Sequence, residues 1–475
     1  MSTINESAIK TPGVYVNEIS TLPPSVAQVS TAIPVFIGYT EKALDANGKS
    51  LTNTPTKIFS LVEYEQYFGK AVSEDKITVK IGREKEDDIM NIVSAEADVK
   101  TVSSHNMYYS LRHYFDNGGG PCYILSVGGY GTIADADLEK GLSTIAAYDE
   151  PTIIVFPEGP SLGEEKYYPL IEKAIEQCRI LQDRFTLVDV VVLNTNDTTT
   201  TNINNFRSIG AHTTGFKKND HLNYAAAYYP NLITTYSYYF DEEKTDVTIT
   251  TDGTPSTVKL KSLKDTDKGS YYRAIQEIGK HPVTLPPSPA IAGVYAKVDT
   301  ARGVWKAPAN VALSSVANLT EVVTNQEQES MNMDADTGKS VNAIRAFSGK
   351  GILVWGARTL DGNSNEWRYI SVRRFFIMVE ESVKKATAAF VFEPNDANTW
   401  VKIRAMIENY LTLLWREGAL AGAKPEHAFF VKVGLGQTMS AIDILEGRLI
   451  VEIGMAAVRP AEFIILRFSH KMQES

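Results

Sequence analysis

TIIVFPEGPSLGEEKYYPLIEKAIEQCRILQDRFTLVDVVVL, residues 152–193, places a helical pattern between two apolar runs. The runs at 152–156 and 185–193 are nearly continuous in apolar residues, which is typical of strands buried on both faces. The segment 166–182 between them has the periodicity of a helix. Strand, helix and strand in this order predict a βαβ unit with parallel strands and a right-handed crossover. The expected fold class is therefore α/β, with α+β elements mixed in.

The same kinds of element extend on both sides of this unit. Upstream, MYYSLRHYFDNGGG at 107–120 predicts a helix ended by glycine, and CYILSV at 122–127 predicts a strand. Downstream, residues 371–389 have an amphipathic helical pattern, and so do residues 399–417, for which Asn398 is the predicted N-cap. The sequence thus predicts a last third with two long helices followed by short β-runs.

The length predicts more than one domain, because 475 residues exceed the size of a single hydrophobic core. Lys-, Asp- and Glu-rich residues 70–100 and the polar residues 241–268 look like insertions, the second of them a hairpin. The prolines in PPSP at 286–289 mark a boundary. We predict four parts, at residues 1–30, 31–285, 286–455 and 456–475.

Charge and composition exclude several classes of protein. The formal net charge of −10 argues against a general nucleic-acid binder. It is unevenly distributed, since the chain from Val341 onward carries 17 Lys and Arg against 14 Asp and Glu. Two cysteines are too few for a disulfide framework. The first thirty residues lack the pattern of a secretory signal, and no run approaches the ~18 apolar residues of a membrane span. We therefore expect synthesis in the cytoplasm and no membrane insertion.

One motif favours an enzyme. Gly129-x-Gly131-x-x-Ala134 follows a predicted strand and precedes a predicted helix, as in a dinucleotide-binding turn. Glu158, at the end of the next strand, lies loosely where a ribose-binding acid is expected. Against this reading, Asp135 and Asp137 put negative charge where a phosphate should bind. A flexible turn between strand and helix explains the same residues, so a nucleotide-binding α/β enzyme is the weaker alternative.

No other pattern predicts catalysis. The triple glycine before Pro121 lacks the Gly-Lys-Ser/Thr ending of a phosphate-binding loop, and the seven histidines show neither HExxH nor a Cys/His metal spacing. We therefore predict a protein that is not an enzyme, with no catalytic residues, no metal and no cofactor.

The two ends of the sequence share an unusual character. TPGVYVNEIS at 11–20 is a β-run separated by prolines from the first buried strand, and EFIILRF at 462–468 is an apolar β-run close to the last residue. Either they are edge strands of the chain's own sheets, or they are donated to the sheet edge of a neighbouring copy. Donation from both ends is heterologous, so it builds rings or filaments.

Several blocks resemble one family, the contractile tail sheath proteins of phages and of phage-tail-like contractile injection systems. The matching blocks run in family order from residue 11 to 468 and include TPGVYVNE, FDNGGGPCYILSV, YAAAYYPNL, PPSPAIAGVYAKVDTARGVWKAPAN, GILVWGARTL, RYISVRRFFIMVEES, FEPNDANTW, EGALAG and VEIGMAAVRPAEFIILRF. The chain departs from the family at VKVGLGQTMSAID, residues 431–443, and in the two polar insertions.

The resemblance implies which residues assemble the particle. In this family both arms pair with a neighbour's C-terminal domain, so that strands exchanged between subunits complete its sheet. By analogy, 1–30 and 456–475 are arms with stiff roots at Pro23-Pro24 and Pro460. The same analogy makes 31–285 an outer region and 286–455 an inner domain that lies against an inner tube. The implied strand-exchange residues are Val14, Tyr15, Val16, Asn17, Glu18, Phe463, Ile464, Ile465, Leu466, Arg467 and Phe468, and the implied tube-facing residues are Arg373, Arg374, Lys384 and Lys385.

The resemblance also implies a function and its partners. The expected protein is a structural subunit that polymerises as a helical cylinder around an inner tube and contracts to drive that tube through a target membrane. Its expected partners are further copies of itself, the tube protein, baseplate and terminal cap proteins, and sheath paralogues, with no nucleic-acid contact. The expected location is a phage tail, or an extracellular or membrane-anchored particle for toxin delivery. A non-contractile filament or capsid-like protein with the same strand exchange is the remaining alternative.

Overall fold

The computed structural model describes residues 25–86, 89–99, 102–194, 196–209, 214–218 and 220–466. These residues form strands β1 Pro34–Tyr39, β2 Thr56–Ile58, β3 Thr78–Glu86, β4 Ile89–Asp98, β5 Cys122–Gly128, β6 Ile153–Val155, β7 Phe185–Asp189, β8 Ala225–Tyr229, β9 Leu232–Ser237, β10 Asp246–Thr251, β11 Thr254–Lys259, β12 Pro282–Leu285, β13 Val311–Ala312, β14 Val316–Leu319, β15 Val341–Phe347, β16 Gly351–Val354, β17 Phe429–Lys432 and β18 Glu452–Met455.

The helices of the same residues are α1 Leu61–Phe68, α2 Met107–Asp116, α3 Asp135–Ile145, α4 Glu164–Leu181, α5 Thr199–Arg207, α6 Leu260–Thr266, α7 Lys268–Gly279, α8 Ser288–Arg302, α9 Asn325–Asn332, α10 Ile370–Thr387, α11 Ala397–Arg416, α12 Pro425–Ala428 and α13 Ala441–Leu445. The prediction of a mixed α/β fold is confirmed. In the described residues, no helix is long and apolar enough to cross a membrane.

The chain separates into two compact units. Within the described residues, the larger unit holds 30–378 and 459–466, and the smaller unit holds 25–29 and 379–458. Helix α10 contributes its residues up to Met378 to the larger unit and those from Val379 to the smaller unit. The four-part division into arms, outer region and inner domain concerns the assembled particle and stays a prediction.

A nine-stranded sheet organises the larger unit, in the order β13-β16-β15-β8-β7-β6-β1-β5-β2. The six strands from β15 to β5 are parallel to their neighbours, and antiparallel strands lie at both margins. Strands β6 and β7 pair in parallel with α4 between them in sequence, which confirms the predicted βαβ arrangement. The central strands are buried on both faces, so their sequences are continuous apolar runs.

Helices cover both faces of this sheet. Val35 and Ile37 of β1 pack in a cluster with residues of α3, α4 and α5, whereas Phe36 faces a second cluster formed with α2 and α8. Successive side chains of a strand point to opposite faces, which is why one strand serves both clusters. The core therefore has three layers, with the sheet between two layers of helices.

The two polar insertions of the sequence meet in one separate sheet. Strands β3 and β4 pair with each other, and β10 pairs in parallel with β3 and antiparallel with β11. Val79, Ile81, Val247 and Ile249 form an apolar cluster with residues of α6 and α7. The hairpin predicted for 241–268 is therefore present as β10–β11, and it is completed by strands from the other insertion.

Helix α11 and the hairpin β17–β18 are the main elements of the smaller unit. The predicted apolar stripe of α11, which includes Ile403, Ile407 and Leu411, is buried. The predicted N-cap was wrong: Asp396, not Asn398, accepts the N–H of Thr399 at 3.0 Å. Asp396 has the extended backbone that a cap needs, whereas Asn398 already lies in the first helical turn.

Candidate assembly interface

The described end of the chain is an exposed apolar segment. Phe463, Ile464, Ile465 and Leu466 are between 68 and 78% exposed, and none of them belongs to a strand in the described residues. Four consecutive large apolar side chains in water form a surface that favours pairing with another chain. Arg467, Phe468 and the predicted N-terminal strand Val14–Glu18 lie outside the described residues.

Glu462, directly before this segment, is fixed to the larger unit. Its carboxylate accepts hydrogen bonds from Arg358, with Nη2 to Oε2 at 2.7 Å and Nε to Oε1 at 3.0 Å. It also accepts from Asn332 Nδ2 at 2.7 Å and from the Tyr369 hydroxyl at 3.2 Å. Burial alone would raise the pKa of Glu462, but the hydrogen bonds from Arg358 and Asn332 lower it below its ordinary value. The carboxylate is therefore held in its charged form.

Arg358 is itself tied to the central sheet. It is only 2% exposed, and its Nη1 donates to the carbonyls of Asn332 and Gly362, each at 3.2 Å. Asn342 of β15 accepts the Arg358 backbone N–H at 2.8 Å and donates to the Arg358 carbonyl at 2.7 Å. A continuous chain of hydrogen bonds thus leads from Glu462 through Arg358 to a central strand.

Arg374 makes a similar arrangement near the other end of the described chain. Its guanidinium forms a two-bond ion pair with Asp299, at 2.6 and 3.0 Å, and donates to the Thr31 carbonyl at 2.8 Å. The Thr31 hydroxyl donates to the same Asp299 carboxylate at 2.6 Å. Arg374 is buried, so its charge is directed into the larger unit rather than to its surface.

The tube-facing prediction for Arg373 and Arg374 needs correction on this geometry. Arg373 is also buried, with its guanidinium 4.5 Å from the Trp367 ring centre and 4.9 Å from that of Tyr224. Both arginines contact aromatic or acidic groups of their own chain, because the helix turns this face inward. A surface partner therefore cannot be recognised by either side chain in this conformation.

Lys384 and Lys385 have the opposite placement. Their side chains are 68% and 43% exposed, and both pair with the buried Glu381, at 3.2 and 3.4 Å. These pairs are spaced i,i+3 and i,i+4 along α10 and stabilise the exposed face of the helix only weakly. The two lysines remain candidates for contact with an acidic surface.

The smaller unit also offers an edge that can accept a strand. Strands β17 and β18 form a two-stranded antiparallel sheet in which Val431 pairs with Ile453. Each strand of such a sheet has one side without a strand partner among the described residues. Two-stranded sheets are marginal by themselves, and a third strand adds hydrogen bonds and side-chain burial.

Phe392 is the most exposed large apolar residue that the structure describes. It lies in the loop between α10 and α11 with φ +71°, a left-handed conformation that is unfavourable for a bulky side chain. Glu393 N–H bonds to the Phe390 carbonyl at 3.1 Å, and the Asn395 side chain donates to the Arg448 carbonyl at 3.0 Å. The loop thus holds an aromatic ring in solvent at a cost in backbone energy, as functional contact residues often do.

The glycine turn at 129–134 is arranged differently from a nucleotide site. Glu158 is completely buried and accepts the backbone N–H groups of Met107 at 3.1 Å and Tyr39 at 3.4 Å. It is therefore inaccessible to a ribose. The Tyr39 hydroxyl donates to Asp137 at 2.8 Å and accepts the N–H of Ala134 at 2.9 Å, so the chain itself occupies the start of α3. The enzyme alternative is not favoured.

Glu158 gives a prediction about stability and pH. Burial raises its pKa to about 8 from its ordinary value of 4.5, so folding favours the neutral acid. Its contribution to stability is complete below about pH 4.5 and is lost as pH rises toward about 8. We expect the urea midpoint of the unassembled chain to fall less between pH 6 and 8.5 in Glu158→Gln than in the unmodified protein.

Burial also raises the pKa of Asp189, to about 7, so the unmodified chain should lose stability over this interval through two groups. The difference between the unmodified chain and Glu158→Gln isolates the part due to Glu158. Glu366→Gln, the same substitution at an exposed position, is the matched control. Equal slopes in Glu158→Gln and the control would contradict the assignment.

These features define a class of protein: an α/β subunit with an anchored, exposed apolar segment suited to pairing with other copies. Two family models match the chain, the phage tail sheath protein central domain at residues 190–360 and the phage tail sheath C-terminal domain at 363–471. The chain belongs to the phage tail sheath family.

Curated relatives agree with this family at lower similarity. The tail sheath proteins of Vibrio phage KVP40 and Enterobacteria phage T4 are each 24% identical to this chain, over 144 and 127 residues. The matches cover 30% and 27% of this chain, but only 21% and 19% of those proteins. The matched part of this chain therefore spans about a fifth of the length of these curated relatives.

Solved structures match over almost the whole chain. A chain of the anti-feeding prophage baseplate is 32% identical with a TM-score of 0.64, covering 98% of this chain and 100% of that chain. A chain of the PVC sheath complex, an extracellular contractile injection system in the contracted state, is 31% identical with a TM-score of 0.62 and 98% coverage of both chains. The anti-feeding prophage helical sheath in the contracted state is 31% identical, with a TM-score of 0.63 and coverage of 98% and 100%.

Proposed function

We propose that this chain is the structural subunit of a contractile sheath and has no catalytic activity. It polymerises as a helical cylinder around an inner tube, and the cylinder contracts to drive the tube through a target membrane. The observation that carries this proposal is the exposed run Phe463–Leu466, fixed at its root in a chain that is similar throughout to contractile sheath subunits.

Strand exchange joins the subunits. Phe463–Phe468 and Val14–Glu18 are the donated segments, and the edges of the β17–β18 sheet are the acceptors on a neighbouring copy. Full burial of each large apolar side chain is worth about 1.5–3 kcal/mol, so the four described residues of one arm already favour pairing strongly. Because donor and acceptor are different surfaces, the contact is heterologous and propagates. Phe392 is a further candidate contact within this lattice.

The tube-facing surface includes Lys384 and Lys385. Their exposed ammonium groups and the net positive charge of the chain from Val341 onward suit a tube with an acidic exterior. Arg373 and Arg374 drop out of this role because they are buried. The resulting contact is weak for each subunit and repeated along the tube, which permits the sheath to leave the tube surface during contraction.

Contraction uses free energy stored during assembly. The sheath forms around the tube in an extended, metastable arrangement, and a trigger at one end lets the subunits rotate and slide outward as rigid bodies. The arms stay paired while this happens, so that one ring moves the next. No nucleotide hydrolysis is required, because the interfaces between subunits have a lower free energy in the contracted lattice and this difference drives the motion.

The remaining partners follow from this role. The sheath assembles in the cytoplasm, at a baseplate, and is closed by a terminal cap; sheath paralogues share the cylinder in particles that have them. The anti-feeding prophage and PVC matches favour an extracellular injection particle for toxin delivery over a phage tail or a membrane-anchored injector.

Electron microscopy tests the proposal. The protein expressed alone should form long hollow cylinders. Expressed with its neighbouring genes, it should form narrower, extended cylinders with a filled lumen. Small globular particles in both samples would refute the sheath function. Cylinders that never change length after a trigger would instead favour a non-contractile filament.

A further inference from the structure

Near each end of its described residues, the larger unit contains a residue held by a buried arginine. On the C-terminal side, Arg358 forms an ion pair with Glu462, the residue directly before the exposed segment. On the N-terminal side, Thr31 is held by two hydrogen bonds. Arg374 donates to its carbonyl, and its hydroxyl donates to Asp299. The two arginines come from different elements of the chain, so the similarity lies in the geometry rather than in a repeated sequence.

The Arg358–Glu462 and Arg374–Asp299 ion pairs are each stronger than an ordinary surface ion pair. Arg358 and Arg374 meet their carboxylates through two hydrogen bonds, the arrangement that makes arginine pairs directional. Both guanidinium groups are almost completely buried, so neither is screened by solvent. The Glu462 carboxylate also accepts hydrogen bonds from two further donors, Asn332 and Tyr369.

We propose that Arg358 and Arg374 are anchors that transmit displacement from one subunit to the next through the arms. This inference rests on the proposed sheath function and adds the residues through which tension enters the subunit. Tension on a donated strand reaches Glu462, passes to Arg358 and then through Asn342 to β15 of the central sheet. Arg374 and Asp299 do the same for the N-terminal arm.

The anchors matter because an arm that detached from the subunit surface at its base would no longer transmit the movement of one ring to the next. If residues 459–462 were pulled from the surface, the connection could lengthen by about 13 Å, at roughly 3.3 Å per extended residue. A subunit could then move without moving its neighbour. With Glu462 held, the free part of the arm begins at Phe463. The stiffness that the family resemblance implies for Pro460 is thus reinforced two residues later by an ion pair.

Contraction of assembled particles tests the anchors. Glu462→Gln keeps the size of the side chain but removes its charge and one acceptor oxygen, and Arg374→Lys keeps the charge but removes the two-bond geometry. Glu366→Gln, an exposed acid of the same unit, is the matched control. Each variant is expressed with the neighbouring genes, triggered with a low concentration of urea and imaged.

We expect all variants to form extended cylinders, since the donated segment and its acceptor are unchanged. After triggering, Glu462→Gln and Arg374→Lys should show gaps or partly contracted sheaths at least severalfold more often than the unmodified protein and the control. A role confined to folding would lower the yield of cylinders and leave the frequency of gaps unchanged. Gap frequencies equal to the control would overturn the proposal.

A mixed experiment covers a variant that does not assemble alone. Co-expression of modified and unmodified chains in varied ratio places the variant in an intact lattice. Gaps that increase with the incorporated fraction support the anchors, and a constant frequency overturns them. Absence of cylinders from the unmodified protein is a separate result, which refutes the sheath function itself.

Discussion

A chain that ends at Glu462, with Phe463–Ser475 deleted, should stay folded and lose the ability to form cylinders. The described residues of the deleted segment are mostly exposed, so their removal takes little from the hydrophobic core. Glu462 and its hydrogen bonds to Arg358 remain. What is lost is the donated strand and its side-chain burial on a neighbouring sheet. Circular dichroism should show an unchanged spectrum, and sedimentation velocity should show a small species in place of a polymer.

The control for this deletion keeps the predicted strand. A chain that lacks only Ser469–Ser475 retains Phe463–Phe468 and should polymerise as the full chain does. Cylinders formed by the longer deletion would show that the C-terminal arm is dispensable. An unfolded spectrum would show that the segment belongs to the core of its own unit. Either result would contradict strand donation by this arm.

Local patterns predicted the main part of the fold. Continuous apolar runs indicated the buried parallel strands β6 and β7, and the period of apolar residues indicated α4, α10 and α11. These features depend on neighbours in the sequence, which is why one sequence suffices. The N-cap of α11 was missed because Asn395, Asp396 and Asn398 are all suitable cap residues, and only the backbone conformation distinguishes them.

Contacts distant in sequence could not be predicted in the same way. The two insertions pair through β3 and β10, which lie about 170 residues apart and carry no shared pattern. The anchors depend on Arg358 meeting Glu462, 104 positions away, and on Arg374 meeting Asp299, 75 positions away. Arg373-Arg374 therefore looked like a basic surface pair, whereas tertiary packing buries both.

The candidate assembly site was only partly accessible to sequence reasoning. The segment that contains the exposed residues Phe463–Leu466 was recognised because an apolar β-run lies close to the last residue of the sequence. Phe392 was missed, since a phenylalanine between two helices is expected to be buried. Its left-handed backbone conformation and full exposure are visible only in three dimensions.

Phe392→Gly should weaken assembly without weakening the fold. Glycine has no side-chain penalty in the left-handed region, where other residues are disfavoured by roughly 1–2 kcal/mol. The greater flexibility of glycine in the unfolded chain cancels about 0.5–1 kcal/mol of this gain. The free energy of unfolding should therefore rise by up to about 1 kcal/mol, as measured by urea denaturation of the unassembled chain.

In the proposed lattice, the same substitution also removes the exposed Phe392 ring as a contact of every subunit. Burial of a phenylalanine contributes about 1.5–3 kcal/mol, and each 1.4 kcal/mol changes an equilibrium constant tenfold. The critical concentration for polymerisation, measured by pelleting, should rise about tenfold or more.

Phe392→Tyr, which keeps both the ring and the strained backbone, should polymerise nearly as the unmodified chain does. If Phe392→Gly polymerises equally well, the strained ring has no role in assembly; if it also unfolds more easily, the loop stabilises the subunit instead. The combination of higher stability and weaker assembly is the result that only a contact residue held in strain produces.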